Sequence, residues 1–198
     1  MSAAITRGTL AKLREDLVIT EELCGQKFTF HTTWGLFSPR EVDAGTKLLL
    51  NHIKVGSESR VLDLGCGYGA LGLTLAKVLP SAEVCLVDKD FVAVAYCRKN
   101  AEINKLTNVH VQLSNGLNDI GGPTFDLVAT NLPAKSGKEL YYLMFYDIHA
   151  RLNPGGRFYI VTITGLRGFV KRAFTEIFGN YQKLKQGNVY TVAVAEKR

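Results

Sequence analysis

Val61-Leu62-Asp63-Leu64-Gly65-Cys66-Gly67-Tyr68-Gly69 is the stretch that decides the fold. An apolar run ends around an acid, breaks into three alternating glycines, and passes into Leu71-Gly72-Leu73-Thr74-Leu75-Ala76, which has helical spacing. That order predicts a buried strand, a tight turn and a helix start. Glycine suits such a turn because it tolerates positive φ and lets backbone approach a ligand closely. A nucleoside-containing ligand is the first expectation.

Outward from there the same grammar repeats. Downstream, Glu83–Asp88 is a second apolar run ending in an acid, followed by a helix over Phe91–Asn104. Val109–Leu113 is a third strand, ending at Ser114-Asn115-Gly116. Phe125–Thr130 is a fourth, ending at Asn131-Leu132-Pro133-Ala134. A helix over Leu140–Leu152, a turn at Asn153-Pro154-Gly155-Gly156 and a fifth strand over Arg157–Thr162 come next. A helix over Phe169–Phe178 and a hairpin of Tyr181–Lys185 with Val189–Ala195 close the chain. Upstream, Ser38, Pro39 and Glu41 predict an N-cap, N1 and N3 and a helix running to about Ile53. Phe28–Thr33 alternates aromatic and polar residues and reads as a strand, whereas residues 1–27 read as an arm or short helix before one domain over 28–198.

Strands alternating with helices predict an α/β, doubly wound, Rossmann-like fold. Its sheet is mainly parallel, with an antiparallel C-terminal hairpin and helices on both faces. Ligands in such sheets bind beyond the carboxyl ends of the strands. Asp63, Asp88, Asn115 and Asn131 all fall at or just past such an end.

Composition narrows the class. The 198 residues suit one domain, and 46% hydrophobic with 21% charged residues is an ordinary globular balance. No apolar run spans a bilayer and the N-terminus lacks a signal-peptide pattern. Cys24, Cys66, Cys85 and Cys97 form no C-x-x-C pair, so reduced cytoplasmic thiols are expected rather than disulfides or zinc. The four histidines are dispersed, and no metal is expected. Charge is uneven: residues 1–134 hold 13 basic and 14 acidic side chains, residues 135–198 hold 11 and 4. The basic final third is either a solvated face or a footprint for a polyanion such as RNA.

Gly67-Tyr68-Gly69-Ala70-Leu71-Gly72 satisfies G-x-G-x-x-G, so a dinucleotide must be weighed. Asp63 argues against it, because a carboxylate at the mouth of a pyrophosphate cradle repels the anion. S-adenosylmethionine carries an ammonium and a sulfonium and no phosphate, and a carboxylate suits it. Asp88 is placed to accept hydrogen bonds from a ribose in either case.

Val61–Gly69 resembles the glycine motif of class I S-adenosylmethionine-dependent methyltransferases, Leu86-Val87-Asp88 their acidic strand end, and Leu152–Gly156 the turn before their fifth strand. Gly35-Leu36-Phe37-Ser38 with Asp43–Leu50 is similar to the lead-in of the methyltransferase small domain group, which includes enzymes methylating guanine N2 in small-subunit ribosomal RNA. The resemblance implies that Asp63, Gly65, Gly67 and Gly69 line the methionine moiety, Asp88 holds the ribose, and Asn115 and Gly116 lie beside the adenine; Tyr68, within the same turn, either flanks the cofactor or covers a core edge. It implies that Phe37 and the Gly45-Thr46 segment close over the cofactor. Asn131 takes the first position of an N-P-P-aromatic motif, where its oxygen and neighbouring carbonyls orient an exocyclic amine; Asn131 and Pro133 are the expected catalytic pair, with Asn131 also touching the cofactor. This chain has Leu132 for the first proline and Ala134 for the aromatic, which leaves Tyr141 or Tyr142 as substitute platforms.

The leading expectation is therefore transfer of a methyl group to an exocyclic base nitrogen in ribosomal RNA, with Lys135 a candidate for neutralising a substrate anion. Substrate selection would fall to an additional partner or to a homodimer. A small metabolite or protein side chain as acceptor, a non-catalytic cofactor-binding partner protein, and a nicotinamide oxidoreductase are the alternatives.

Overall fold

The computed structural model describes residues 7–13, 15–134 and 136–198; Lys135 lies outside them. Helix α1 (Arg7–Leu13) leads into an antiparallel hairpin, β1 (Leu17–Leu23) and β2 (Gln26–Thr32), in register from Leu17 opposite Thr32 to Leu23 opposite Gln26. The hairpin thus crosses the expected start of the domain at residue 28, and β1 lies in what read as an arm. Next come α2 (Ala44–Leu50), β3 (Arg60–Leu64), α3 (Ala70–Val78), β4 (Glu83–Asp88), α4 (Phe91–Ile103) and β5 (Val109–Leu113). The chain finishes with β6 (Phe125–Asn131), α5 (Lys138–Arg151), β7 (Leu152–Ile163), α6 (Arg167–Phe178), β8 (Gln182–Gln186) and β9 (Tyr190–Glu196).

Seven strands form the central sheet in the order β5-β4-β3-β6-β7-β9-β8. The first five are parallel, and β9 inserts antiparallel between β7 and the edge strand β8. Side chains alternate between two cores with the strand period of two. On β7, Phe158 and Ile160 pack with Phe145, Phe169 and Phe174 of α5 and α6. Tyr159 and Val161 face the other way, into the core shared with α2, α3, α4 and the hairpin. The same alternation puts Leu127 and Ala129 of β6 on the α2 side and Val128 opposite. Asn131, two residues beyond Ala129, continues that phase toward α2.

Two side-chain amides fasten the hairpin. Asn100 Oδ1 accepts from His31 N (2.7 Å), and its Nδ2 donates to His31 O and to Tyr68 O, both at 2.9 Å. One turn on, Asn104 brackets Thr29 in the same way, accepting from its N (3.1 Å) and donating to its O (2.8 Å). Asn100 of α4 and Asn104 at its C-terminal cap act as the backbone of a missing strand, and Asn100 also ties the hairpin to the glycine turn. Asp16, bonded to Lys99, His31 and Tyr96, is held down to a pKa of about 2 chiefly by the Lys99 ammonium.

One helix start differs from expectation. Ser38–Glu41 is a turn, with Ser38 at φ 47° and its hydroxyl donating to Glu41 O. Helix α2 begins at Ala44, where the Asp43 carboxylate accepts from Gly45 N (2.8 Å) and Thr46 N (3.2 Å), and it ends at Leu50. A carboxylate taking two first-turn N–H groups is the stronger cap. The Pro39 carbonyl is meanwhile taken by the Thr32 hydroxyl. Among the described residues no helix is long and apolar enough to cross a membrane.

Candidate active site

Parallel strands β3, β4, β5 and β6 deliver their carboxyl ends to one edge of the sheet, and the expected site residues gather there. After β3 the chain turns through Gly65 (φ 76°), Gly67 (φ 55°) and Gly69 (φ 100°), all in the left-handed region that other residues avoid. A Cβ at Gly65 or Gly67 would meet nothing within 4 Å, whereas one at Gly69 would strike Leu73 and Cys97. The turn is therefore packed on its helix side and open on the other, which is the shape a closely approached ligand needs. The residues present fit S-adenosylmethionine on that count.

The Asp88 carboxylate sits beside the opening, one oxygen accepting from Gly67 N (2.9 Å) and the other from Asp90 N (3.0 Å). Each oxygen keeps a lone pair for a ribose hydroxyl. Asn115 is exposed and Gly116 (φ 64°) has open space at its Cβ position; both follow β5, next to Asp88 in the sheet.

Two residues expected at the ligand are placed otherwise. Asp63 is 1% exposed beneath the turn, where its Oδ2 accepts from Gly72 N at 2.7 Å. Burial, with the Asp88 charge adding to it, pushes its pKa up to about 7 against the pull of that hydrogen bond. Asp63 thus clamps the turn to the first turn of α3. Tyr68 is 4% exposed in the hairpin core against Phe30, and its hydroxyl reaches the carbonyls of Ser38 (3.4 Å) and Glu41 (3.2 Å). It links the glycine turn to the loop over residues 33–43 rather than facing a ligand. Phe37 on that loop is 66% exposed, free to cover something the chain itself does not supply.

At the end of β6, Asn131 Nδ2 donates to Asp43 Oδ2 (2.9 Å) and Thr46 Oγ1 (3.0 Å). Asp43 Oδ1 accepts from the Tyr190 hydroxyl at 2.9 Å, and burial together with that carboxylate raises the Tyr190 pKa, keeping it a donor. A carboxylate accepts only, so the Asn131 amide is fixed with its nitrogen inward and its Oδ1 turned away from Asp43. Asp43 and Tyr190 are the site residues that sequence reasoning did not single out. Asp43 had a signal, an acid followed by Gly-Thr and an apolar run. Tyr190 had none, because only the insertion of β9 beside β7 brings it there.

The segment after Asn131 is shaped by its departures from the usual motif. Leu132 is buried and its N donates to Val161 O (2.9 Å), a bond that proline could not make. The Pro133 carbonyl accepts from the Tyr141 hydroxyl, which in turn accepts from Ser136 N. Tyr141 is 1% exposed and holds this loop, and Tyr142 bonds Glu176 and packs edge-on against Phe169. Neither replaces the ring absent at Ala134. Exposed aromatics at this end include Phe37, Phe91 at the start of α4, and Trp34, the last with the Arg40 guanidinium 4.6 Å from its ring centre.

Among the described residues, no group of three His, Cys, Asp or Glu could hold a metal ion. A hollow of about 290 Å³ lined by Glu58, Asp126, Pro154 and Arg157 lies at the opposite end of the sheet. Its charges are already paired, Arg157 with Glu58 and Asp126 with the Ser59 and Arg60 backbone.

The chain is similar in sequence and fold to known proteins. A family model described as the methyltransferase small domain matches residues 27–194. The chain is 34% identical over 141 residues to the uncharacterized protein YbxB of Bacillus subtilis (strain 168), covering 70% of each. It is 32% identical over 183 residues to ribosomal RNA large subunit methyltransferase G of Cronobacter sakazakii, covering 89% of this chain and 48% of that one. The T. thermophilus 16S rRNA N2 G1207 methyltransferase (RsmC), solved with AdoMet and guanosine, superposes with a TM-score of 0.83 at 33% identity, covering 92% of this chain and 51% of that one. The chain spans about half the length of these two rRNA methyltransferases.

Proposed function

The chain belongs to the methyltransferase small domain family, with S-adenosylmethionine as its cofactor, and from that premise we propose that it methylates an exocyclic amino group of a base in ribosomal RNA. The observation that carries the acceptor assignment is the Asn131 amide, whose nitrogen is committed to Asp43 and Thr46. The outward Oδ1 accepts one N–H of the base amine. With the Pro133 carbonyl engaged by Tyr141, the Leu132 carbonyl takes the other. Two acceptors on its hydrogens pull the amine out of conjugation with the ring and aim its lone pair at the methyl group.

When bound, S-adenosylmethionine supplies a methyl group on a cationic sulfur that departs without acid assistance. The chain has to hold reactants in line and exclude water, and it needs no strong base. Gly65 and Gly67 present backbone to the methionine moiety, Asp88 takes the ribose, Asn115 and Gly116 border the adenine, and Phe37 covers the cofactor. Thr46 lies beneath Asn131. Trp34 with its stacked Arg40 serves as the platform for RNA bases that Ala134 lacks, a contact worth about 1–3 kcal/mol per base.

Basic side chains extend from this end of the sheet. Helix α6 carries exposed Arg167, Lys171 and Arg172, and the edge strand β8 carries Lys183 and Lys185. Arg167 and Lys183 both donate to Gln186 Oε1 (2.6 and 3.1 Å), drawing helix and strand into one ridge. None of the five is in an ion pair among those of the described residues. Unpaired cations leading away from a site suit a phosphate backbone. Replacing Arg167, Lys183 and Lys185 by Ala should flatten the log–log salt dependence of RNA binding by about 2, at ~0.7 per single-strand phosphate contact. Calorimetric cofactor affinity should not change.

The proposal is tested by incubating the protein and methyl-labelled cofactor with RNA, protein and metabolite fractions from cells lacking it. Label should enter RNA. Label confined to protein or metabolites would transfer the assignment to another acceptor class, and cofactor binding without label anywhere would make the chain a binding module.

A further inference from the structure

We propose that Asp43 is a positioning residue, locked by Tyr190, whose negative charge lies directly behind the Asn131 amide and selects an amine over a hydroxyl as methyl acceptor. The inference rests on the acceptor reading above and goes beyond it, because it names what makes Asn131 competent.

Capping α2 would occupy only one carboxylate oxygen. Oδ2 accepts from Gly45 N and Thr46 N, as a helix cap does, but it also accepts from Asn131 Nδ2, 88 residues away. Oδ1 is engaged by the Tyr190 hydroxyl from β9, 147 residues away. Three elements thus converge on one carboxylate: the start of α2, the end of β6 and the start of β9. The fit is tight. A Cβ at Gly45 would come within 2.7 Å of Asp43 Oδ2 and 3.0–3.1 Å of the Tyr190 ring, so glycine is required for the contact.

The charge acts through the amide. A carboxylate bonded to the Asn131 NH₂ draws its dipole toward itself and makes Oδ1 a stronger acceptor, since charge-assisted hydrogen bonds are the strong ones. As an amine nitrogen forms its new bond to the methyl carbon and the carbon–sulfur bond breaks, positive charge builds on the nitrogen and its N–H groups bind Oδ1 more tightly; the surplus proton is released to water after transfer. The stabilisation is therefore larger in the transition state than in the ground state, which is what raises turnover. A hydroxyl acceptor has to shed its proton to become a good nucleophile, and a fixed negative charge nearby opposes that. The same geometry favours one acceptor class and disfavours the other.

The test uses the full chain with Asp43→Asn, Tyr190→Phe and the double variant. Asn caps a helix as well as Asp does, so Asp43→Asn should keep its melting temperature while losing the charge. Its turnover on RNA should fall by about 100-fold, the scale of one preorganised electrostatic contact, with RNA KM and calorimetric cofactor affinity unchanged. Tyr190→Phe should lose roughly 3- to 10-fold, one hydrogen bond's worth. The double variant should be no slower than Asp43→Asn alone, because Tyr190 works through the charge. A second readout needs no activity: in the cofactor-free protein the Asn131 side-chain amide protons should exchange slowly by NMR. Turnover of Asp43→Asn within twofold of the parent, a matching loss of cofactor affinity, or a freely exchanging Asn131 amide would each overturn the inference. Label on a hydroxyl would instead remove the acceptor reading and the selectivity, while the amide exchange still decides the positioning.

Discussion

Asn131→Ala should cut methyl transfer to RNA by about 10²- to 10³-fold, the cost of removing one preorganised acceptor from a displacement that depends on orientation. The fold should survive, since β6 keeps its backbone ladder to β7 and Asn131 pairs with Val161 through main chain alone. What is lost is a side chain whose amide nitrogen is anchored on both sides, by Asp43 and Thr46, which turns its oxygen away from them. Because the residue was also expected to touch the cofactor, turnover and affinity have to be read separately. A loss confined to turnover identifies Asn131 as the acceptor that aims the amine. An equal loss in cofactor affinity would make it a binding residue, and activity within twofold of the parent would remove it from the site.

Stability should fall as pH rises from about 4 to 7, and Asp63→Asn should abolish that slope. Burial raises the Asp63 pKa to about 7 in the folded chain, against the ordinary value near 4 when unfolded. Between those values the folded state holds a proton that the unfolded state has released, so raising pH favours unfolding. The contribution is fully present below pH ~4 and is lost by about 7, at ~1.4 kcal/mol per unit and up to about 4 kcal/mol in all. Asp16 acts in the opposite sense and in another window. With its pKa lowered to about 2, its stabilisation is lost as pH falls from about 4 toward 2. Urea titrations of parent and Asp63→Asn across pH 4–8 isolate the Asp63 part, because Asp16 is common to both. An Asn at 63 can still accept from Gly72 N, so the clamp is kept while the ionisable group goes. Parallel slopes in the two proteins would show that Asp63 titrates normally.

That same burial shows how far sequence could be trusted here. The order of strands and helices from Val61 onward follows from periodicity and glycine placement, and the structure reproduces it with most boundaries moved by one or two residues; β7 is the exception, because it starts at Leu152 and takes in the Asn153–Gly156 stretch expected as a turn. The strand ends carrying Asp63, Asp88, Asn115 and Asn131 are where the pattern puts them. Depth is what the pattern cannot show. A carboxylate between a strand and a glycine turn can face a ligand or face inward, and here Gly72 N, waiting at the first turn of α3, draws it inward. Strand β1 escaped notice because a two-stranded hairpin buries only one side. Glu21 and Glu22 sit in it without cost, its only strand partner is β2, and β2 is in turn held by Asn100 and Asn104 from a distant part of the chain. At Ser38 a capping pattern was present but lost to Asp43, whose charge serves the helix and the Asn131 amide together. Tyr190 belongs to the site only through strand order. Residues whose role is local were legible, and those whose role depends on which strand inserts where were not.

The most direct test is nucleoside mass spectrometry of ribosomal RNA, taken from cells lacking the protein and treated with it and methyl-labelled cofactor. The account predicts one labelled nucleoside whose fragmentation places the methyl group on the exocyclic nitrogen of the base, absent when Asn131→Ala replaces the parent. A methyl group found on ribose oxygen or ring carbon, or undiminished labelling by Asn131→Ala, would contradict it.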